Sequence, residues 1–365
     1  MDRPAFRADL AQSKHAHFGL NYWRLTMELH AVGIDLAKSV FQLHGANAHG
    51  KTVLQKRVSR AKLMETVAQL PPCLIGIEAC QGAHQWARRF EALGQTVRLI
   101  SPQFVTPYRR GNKNDGNDAA AICEAVTRAD MRFVPVKQAH QLDVQAVHRA
   151  RDRIVKARTA LINQIRGCLA EHGIVMPQGS NKVRQRLPEI LEDAENGLSG
   201  LARQTYHLLL EELQALDARR AQFDAVLKQA FKSDEACQRL ETIPGVGILT
   251  ATAMVAAVGG AREFKNGRQM AAFLGLVPRQ HSSGEKQRLG GISKRGNTPL
   301  RTLLIHGARA VLRFAGTKTD VRSRWLQALV ARRGMNIAAV ALANKTARTC
   351  WALLAKGECY RPASV

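Results

Sequence analysis

Between Ala31 and about Val136, short apolar runs alternate with stretches of helical period, and two of those runs end against an acid. Ala31-Val32-Gly33-Ile34 leads straight into Asp35, and Leu74-Ile75-Gly76-Ile77 leads into Glu78. Runs this short and continuously apolar read as strands buried on both faces of a sheet. Val40 to His44 and Thr52 to Val58 add two strands about a turn at Asn47-Ala48-His49-Gly50. Ala61 to Leu70 fits a helix that Pro71-Pro72 ends, and Trp86 to Leu93 fits a second helix closed by Gly94. Val97 to Ile100 is a further strand, and Asp118 to Arg128 a further helix. Three strands in hairpin order followed by β–α alternation predict an α/β domain with a mixed sheet.

The acids carry the first chemical signal. Groups just past strand C-termini gather at one edge of an α/β sheet, where sites form. Asp115 and Asp118 stand three apart at a helix start, so both can face one side, and a helix N-terminus tolerates negative charge. Four converging carboxylates repel one another and call for a cation. Oxygen-only donors favour Mg²⁺ or Mn²⁺. Two such ions about 4 Å apart can flank a phosphate and stabilise the attacking and leaving oxygens together. Taken singly, each acid also has an ordinary reading. Asp115 and Asp118 suit a turn and an N-cap, and Asp35 a post-strand turn.

The rest of the chain reads as helical. From about Leu142 to Phe231, Val147, Ile154, Leu161 and Cys168 recur every seven residues. After a break at Gly173 to Ser180, Tyr206, Leu209, Leu213, Leu216, Phe223 and Leu227 recur at helical spacing. Such seams suit a coiled coil or long helical hairpin between subunits, or an ordinary bundle packed on its own chain. Further on, Ile243-Pro244-Gly245-Val246-Gly247 between helical segments resembles a helix-hairpin-helix turn. Its glycines, Gly245 and Gly247, would let the backbone approach a phosphate; the alternative is a tight helix connection.

Charge concentrates toward the C-terminus. The formal net charge is +25, and Arg262 to Val365 holds 20 Lys/Arg against 4 Asp/Glu, +16 of that total. A field of this sign captures polyanions, nucleic acid first among them. Within it, Gly275-Leu276-Val277-Pro278-Arg279-Gln280-His281-Ser282-Ser283-Gly284 is followed by Lys286, Arg288 and Ile292-Ser293-Lys294-Arg295-Gly296-Asn297, then Arg301. Serines in a glycine-flanked loop ringed by Arg and Lys suit either a nucleophile at phosphate or a clamp on it. Phosphate contacts are therefore expected from Arg279, Lys286, Arg288, Lys294, Arg295 and Arg301.

The seven cysteines form no CxxC pair and no zinc spacing, which suits reduced thiols in a cytosol. No apolar run reaches a membrane span, and no secretory signal opens the chain.

In this order, Gly-Ile-Asp35, Ile-Glu78-Ala, Lys113-Asn114-Asp115-x-x-Asp118-Ala119, Ile-Pro-Gly-Val-Gly, Gly-Leu-x-Pro-Arg with Ser283-Gly284, and Ile-Ser-Lys-x-Gly-Asn with Leu-Arg301 resemble the DEDD transposases of the insertion sequence 110 type. The resemblance runs from about Leu29 to Gly357. It implies an α/β plus α architecture. Residues 29–140 would form an RNase H-like (RuvC-like) catalytic domain, 141–235 a helical coiled-coil linker, and 236–357 a mainly helical transposase domain. Residues 1–28 are read as a disordered extension and 358–365 as a tail. The resemblance further implies Asp35, Glu78, Asp115 and Asp118 as the metal tetrad with Mg²⁺ or Mn²⁺, and Ser283 as the nucleophile joined to DNA. It implies an element-encoded guide RNA, and a homo-oligomer, dimer or tetramer, that completes the site between protomers. The doublet Ser282-Ser283 leaves the serine's register open, and Cys80 stands where a small or hydroxyl residue is expected. The competing readings are a Holliday-junction-type endonuclease that uses water, with Ser283 only binding phosphate, and a nucleic-acid scaffold without catalysis.

Overall fold

The computed structural model describes residues 29–112, 114–284 and 286–362; the extension expected at 1–28 lies outside them. The chain divides into two compact units that meet at Ala139 and His140.

The first unit is built on a six-stranded mixed sheet. Its strands are β1 (Ala31–Asp35), β2 (Val40–Ala46), β3 (Thr52–Ser59), β4 (Leu74–Glu78), β5 (Thr96–Ile100) and β6 (Phe133–Val134), in the order β3-β2-β1-β4-β5-β6. The hairpins β1–β2 and β2–β3 are antiparallel, β1–β4 and β4–β5 parallel, and β5–β6 antiparallel. Helices α1 (Leu63–Ala68), α2 (Ala83–Glu91), α3 (Pro102–Val105) and α4 (Asp115–Val126) follow the strands. The turn at Asn47 to Gly50 forms as expected. Gly50 takes a left-handed φ of 77°, and its N–H donates to Asn47 O at 3.0 Å.

One face of the sheet buries Ile34, Phe41, Leu43, Ile75 and Leu99 with Trp86 and Phe90 of α2. Phe41 and Trp86 meet edge to face, with centroids 5.4 Å apart. The other face is covered by α4, and there the packing decides where the acids go.

In the second unit, α5 (Ala139–Glu171) and α7 (Gly200–Lys232) are long helices, with α6 (Ser180–Glu192) between them. The heptad holds only in part: Ile154 and Leu161 are buried and Cys168 is exposed, and beyond Leu161 the buried face passes to Ile165 and Leu169, which pack with Leu187, Tyr206, Leu210 and Leu213 of the same chain. Arg158, buried, pairs with Asp217 at 2.5 Å and pins α5 to α7. Helices α8 (Glu235–Glu241), α9 (Ile248–Val258), α10 (Gly267–Phe273), α11 (Thr298–Arg313), α12 (Val321–Arg333) and α13 (Met335–Lys356) share one core, joined by a two-stranded hairpin, β7 (Pro278–Gln280) and β8 (Leu289–Ile292). Within the segment read as a tail, Tyr360 N–H donates to Thr242 Oγ1 at 3.0 Å.

Candidate functional site

Asp35 and Glu78 close neighbouring parallel strands. They are the last residues of β1 and β4, one step inside the positions the sequence pattern gave them. The register pairs Gly33 with Gly76 and Ile34 with Ile77. Asp35 and Glu78 are therefore the next pair, on the same face as the two glycines, with backbones about 4.8 Å apart.

That face carries α4, and glycine lets it come close. A Cβ on Gly33 would lie 2.2 Å from Ala119 O and 2.4 Å from Cys123 N, and one on Gly76 would lie 2.8 Å from Val126 Cβ. The helix runs antiparallel to β1. Cys123 Sγ donates to Ala31 O at 3.5 Å, and Ala119 lies over Gly33. Two more strand residues, about 6.6 Å, and one earlier helical turn, about 5.4 Å, bring Asp35 level with the first turn of α4. That turn holds Asp115 and Asp118. The helix begins at Asp115 rather than Asp118, and its N-cap is Asn114, whose side chain accepts from Asn117 N–H at 2.7 Å. Capping therefore falls to Asn114 and not to either acid.

The electrostatics register Asp35 and Glu78 as neighbours. The exposed Cys80 thiol is pushed up from its ordinary value, first by desolvation and then by the charges of Glu78 and Asp35. Asp118 is engaged by Arg109 at 3.3 Å. Among the described residues, no three His, Cys, Asp or Glu side chains converge closely enough to hold a metal ion. The four acids share an edge and a face without closing into a coordination shell. Arg109, which the sequence pattern did not single out, stands in for a cation at Asp118. Beside α4, a cleft of about 910 Å³ is lined by Gln42, His44, Gln55 and Asn117, the last of these lying between the two helix acids.

The serines lie on a hairpin, where a plain loop was expected. His281 N–H donates to Arg288 O at 2.9 Å, and Lys286 N–H to Ser283 O at 3.2 Å. The two hydroxyls differ. Ser282 Oγ accepts from Arg288 N–H at 3.2 Å and from Gln280 Nε2 at 3.0 Å, locking the hairpin. The hydroxyl of Ser283 makes no hydrogen bond among the described residues, and the residue is exposed at the tip beside Gly284, at φ 57°.

The basic residues divide as well. Arg279, Lys286, Arg288, Lys294 and Arg295 are exposed. Arg301, expected to meet phosphate, is buried. Its guanidinium donates to Leu274 O at 3.0 Å, Arg295 O at 3.3 Å and Thr298 Oγ1 at 2.9 Å, stitching the end of α10 to the loop before α11. Its five donors serve those carbonyls better than any less planar cation could. Gly245 also faces inward. It has φ 91°, and a Cβ there would lie 2.9 Å from Gly307 O of α11, so helix packing accounts for it. Gly247, the exposed N-cap of α9, has open space around its Cα and keeps the approach to phosphate available.

Comparison with known proteins identifies relatives along most of the chain. A family model described as "Transposase IS116/IS110/IS902 family" matches residues 237–324, and a DEDD-type model of the IS110 group, described as "Transposase", matches residues 32–174. A "Probable family 20 transposase" of Pseudomonas aeruginosa is 51% identical over 337 residues, covering 92% of this chain and 100% of the relative. The "Transposase for insertion sequence element IS1111A" of Coxiella burnetii is 51% identical over 338 residues, 93% of each chain. The "Transposase for insertion sequence element IS1328" of Yersinia enterocolitica is 39% identical over 334 residues, 90% of this chain and 98% of the relative.

Proposed function

The chain belongs to the IS116/IS110/IS902 family of transposases, and from that premise we propose that it cuts and rejoins the DNA of an insertion sequence with two separate pieces of chemistry. One is a carboxylate centre at the edge of the first unit; the other is a serine at the tip of the hairpin in the second. The observation that carries the proposal is the shared face and level of Asp35 and Glu78, with the first turn of α4 laid over them by Gly33 and Gly76. The strand order, with three antiparallel strands leading into parallel β4 and β5, supports an RNase H-like reading of this unit.

The donor set fits a hard divalent cation, Mg²⁺ or Mn²⁺, since Asp35, Glu78, Asp115 and Asp118 offer oxygen alone. When bound, such an ion stabilises charge on the attacking and leaving oxygens of a phosphodiester. The Arg109–Asp118 pair must open for Asp118 to take part. Asn117 and the cleft beside α4 offer a path for the DNA strand.

Ser283 is the nucleophile in this reading, and Ser282 the hairpin lock. As a bond forms between Ser283 Oγ and phosphorus, a backbone P–O bond breaks, its electron pair leaving on the deoxyribose oxygen, which takes a proton to become a free hydroxyl, while the serine proton passes to a base, with His281 on the same hairpin as the first candidate. The covalent phosphoserine keeps the phosphodiester energy for rejoining. Arg279, Lys286, Arg288, Lys294 and Arg295 hold flanking phosphates. The acids and the serine belong to different units, so we assign completion of the site to a second protomer. Leu201 and Leu208, exposed and seven residues apart on α7, supply an apolar stripe for that assembly. The basic surface also suits an element-encoded guide RNA. No helix among the described residues is long and apolar enough to cross a membrane.

The test is strand cleavage of DNA carrying an element end, with Mg²⁺ and the element's RNA. Glu78→Gln should bind DNA and leave it uncut. Mixing Ser283→Ala with Asp118→Ala protein should restore part of the activity that each lacks alone. Wild-type rates from Glu78→Gln would overturn the carboxylate centre, and silence from the mixture would overturn completion in trans.

A further inference from the structure

The second unit holds another concave basic surface, which no residue of the serine hairpin lines. A cleft of about 760 Å³ opens between the start of α10, α12 and α13. Arg268, Lys345 and Arg348 bring charge to it, Trp325 and Trp351 bring aromatic rings, and no acid lines it. Among the described residues, none of these three cations is in an ion pair, whereas Arg158 of the same unit sits on Asp217.

The cleft is held in shape by packing. Gly267 lets α10 press onto α13, since a Cβ there would lie 2.9 Å from Arg348 Cα. That approach sets Arg268 and Arg348 together at the rim. Trp351 is fixed by its Nε1–H, which donates to Phe264 O at 3.0 Å. Trp325 is half-buried, and the Lys345 ammonium lies 4.8 Å from its ring centre. Asn344 lines the same cleft, its amide nitrogen already committed to Leu276 O at 3.0 Å. Its carbonyl oxygen is left as the acceptor.

We propose that this cleft binds an unpaired nucleotide of single-stranded DNA, with the base on Trp325 and the adjoining phosphates on Lys345, Arg348 and Arg268. An exposed cation–π contact is weak. A base therefore displaces Lys345 from the ring and leaves the ammonium beside its own phosphate. An aromatic platform inside a basic groove is the chemistry that holds single strands whatever their sequence, and the volume is in the range of small-molecule sites. Duplex DNA, with its bases stacked on one another, has none to seat on Trp325 and gains little from the cleft. The proposal rests on the recombinase reading: cutting and rejoining strands exposes unpaired nucleotides, and a platform outside the hairpin keeps such a strand from re-annealing or drifting.

The test uses the full-length chain, oligothymidylate of about 12 nucleotides, a duplex of the same length, and oligouridylate. Oligothymidylate should quench tryptophan emission of the wild type, and Trp325→Phe, which keeps an aromatic ring in the fold, should lose most of that quench. Lys345→Gln combined with Arg348→Gln should weaken oligothymidylate binding roughly tenfold and duplex binding by less than about twofold. Equal losses for both DNAs, or a full quench in Trp325→Phe, would overturn the proposal and leave the recombinase reading standing. Tighter, Trp325-dependent binding of oligouridylate would overturn it in favour of RNA. Failure of the wild type to bind either DNA would bring down the recombinase reading itself.

Discussion

The acid edge and the serine hairpin are built in opposite ways. Asp35 and Glu78 end strands whose neighbours are fully buried, and α4 is pressed so close over them that no side chain fits at Gly33. Ser283 sits on an exposed turn with open space around Gly284. Carboxylates that must share a small cation need positions fixed to fractions of an ångström, which a close-packed sheet supplies. On the proposed reading, a nucleophile that follows a phosphate through cutting and rejoining gains from a short lever, and only its base, locked by Ser282, has to be stiff.

The contrast is broken most severely by removing the chemistry itself. Asp118→Ala and Ser283→Ala should each lower recombination by roughly 10³-fold or more while the circular dichroism spectrum stays unchanged. Ser282→Ala should retain much of the activity and make the hairpin amides exchange faster. Comparable loss in both serine variants would erase the distinction between nucleophile and lock.

Next comes the backbone. Gly33→Ala should cost about 3 kcal/mol or more, because the new Cβ meets helix backbone that cannot yield. Gly284→Ala should cost about 1 kcal/mol, for its left-handed φ alone. Chemical denaturation measures both, and similar values would mean that the two regions do not differ in rigidity.

Much of the acid edge was legible in the sequence, because an apolar run that ends on an acid specifies both a strand and its edge. The approach of α4 was not, since Gly33 and Gly76 look like any glycine in a strand until the helix is seen above them. The serine hairpin escaped as a β element because Leu289-Gly290-Gly291-Ile292 carries little of the usual strand signature. Arg301 was misjudged for a physical reason: a cation in a basic cluster reads as surface, yet this one satisfies backbone carbonyls that would otherwise be buried and unpaired. The helical seam is legible only in part, because a strict seven-residue repeat drifts off the buried face of a straight helix, leaving Cys168 exposed and Leu169 inside. Arg109 reaches Asp118 only nine residues on, but across a turn that no regular period spans, and the Trp325 cleft joins residues from three helices too far apart in sequence for any local pattern to connect.

A smaller effect concerns the guard on Asp118. The Arg109–Asp118 pair is partly exposed, with side chains 29% and 16% accessible, so Arg109→Gln should change stability by less than about 1 kcal/mol. It should strengthen Mn²⁺ binding several-fold by calorimetry, since a competing cation is gone. Weaker Mn²⁺ binding would mean that Arg109 positions the acid for the metal instead of guarding it.

The smallest effect separates the units by pH. His148, on α5, has its pKa lowered from 6.5 to about 4, by burial and then by the charge of Arg151. His84, on α2, is lowered to about 4 by burial, Lys137 and Arg88. Between 6.5 and 4 the unfolded chain takes up protons that these folded sites refuse, so stability is full above pH 6.5 and falls as the pH drops toward 4. In thermal melts, His84→Gln should relieve that loss in the first unit alone and His148→Gln in the second alone. A loss relieved in both units by either variant would show that they unfold as one.

The central claim is most directly tested by finding the atom to which DNA becomes attached. Wild-type protein, element-end DNA, the element's RNA and Mg²⁺ are incubated, denatured and digested, and the adduct peptide is sequenced by mass spectrometry. The account predicts a DNA phosphate on Ser283, still formed by Ser282→Ala and absent from Ser283→Ala and Glu78→Gln. An adduct that persists in Ser283→Ala, or free cut ends with no adduct from the wild type, would contradict it, the latter in favour of hydrolysis by water.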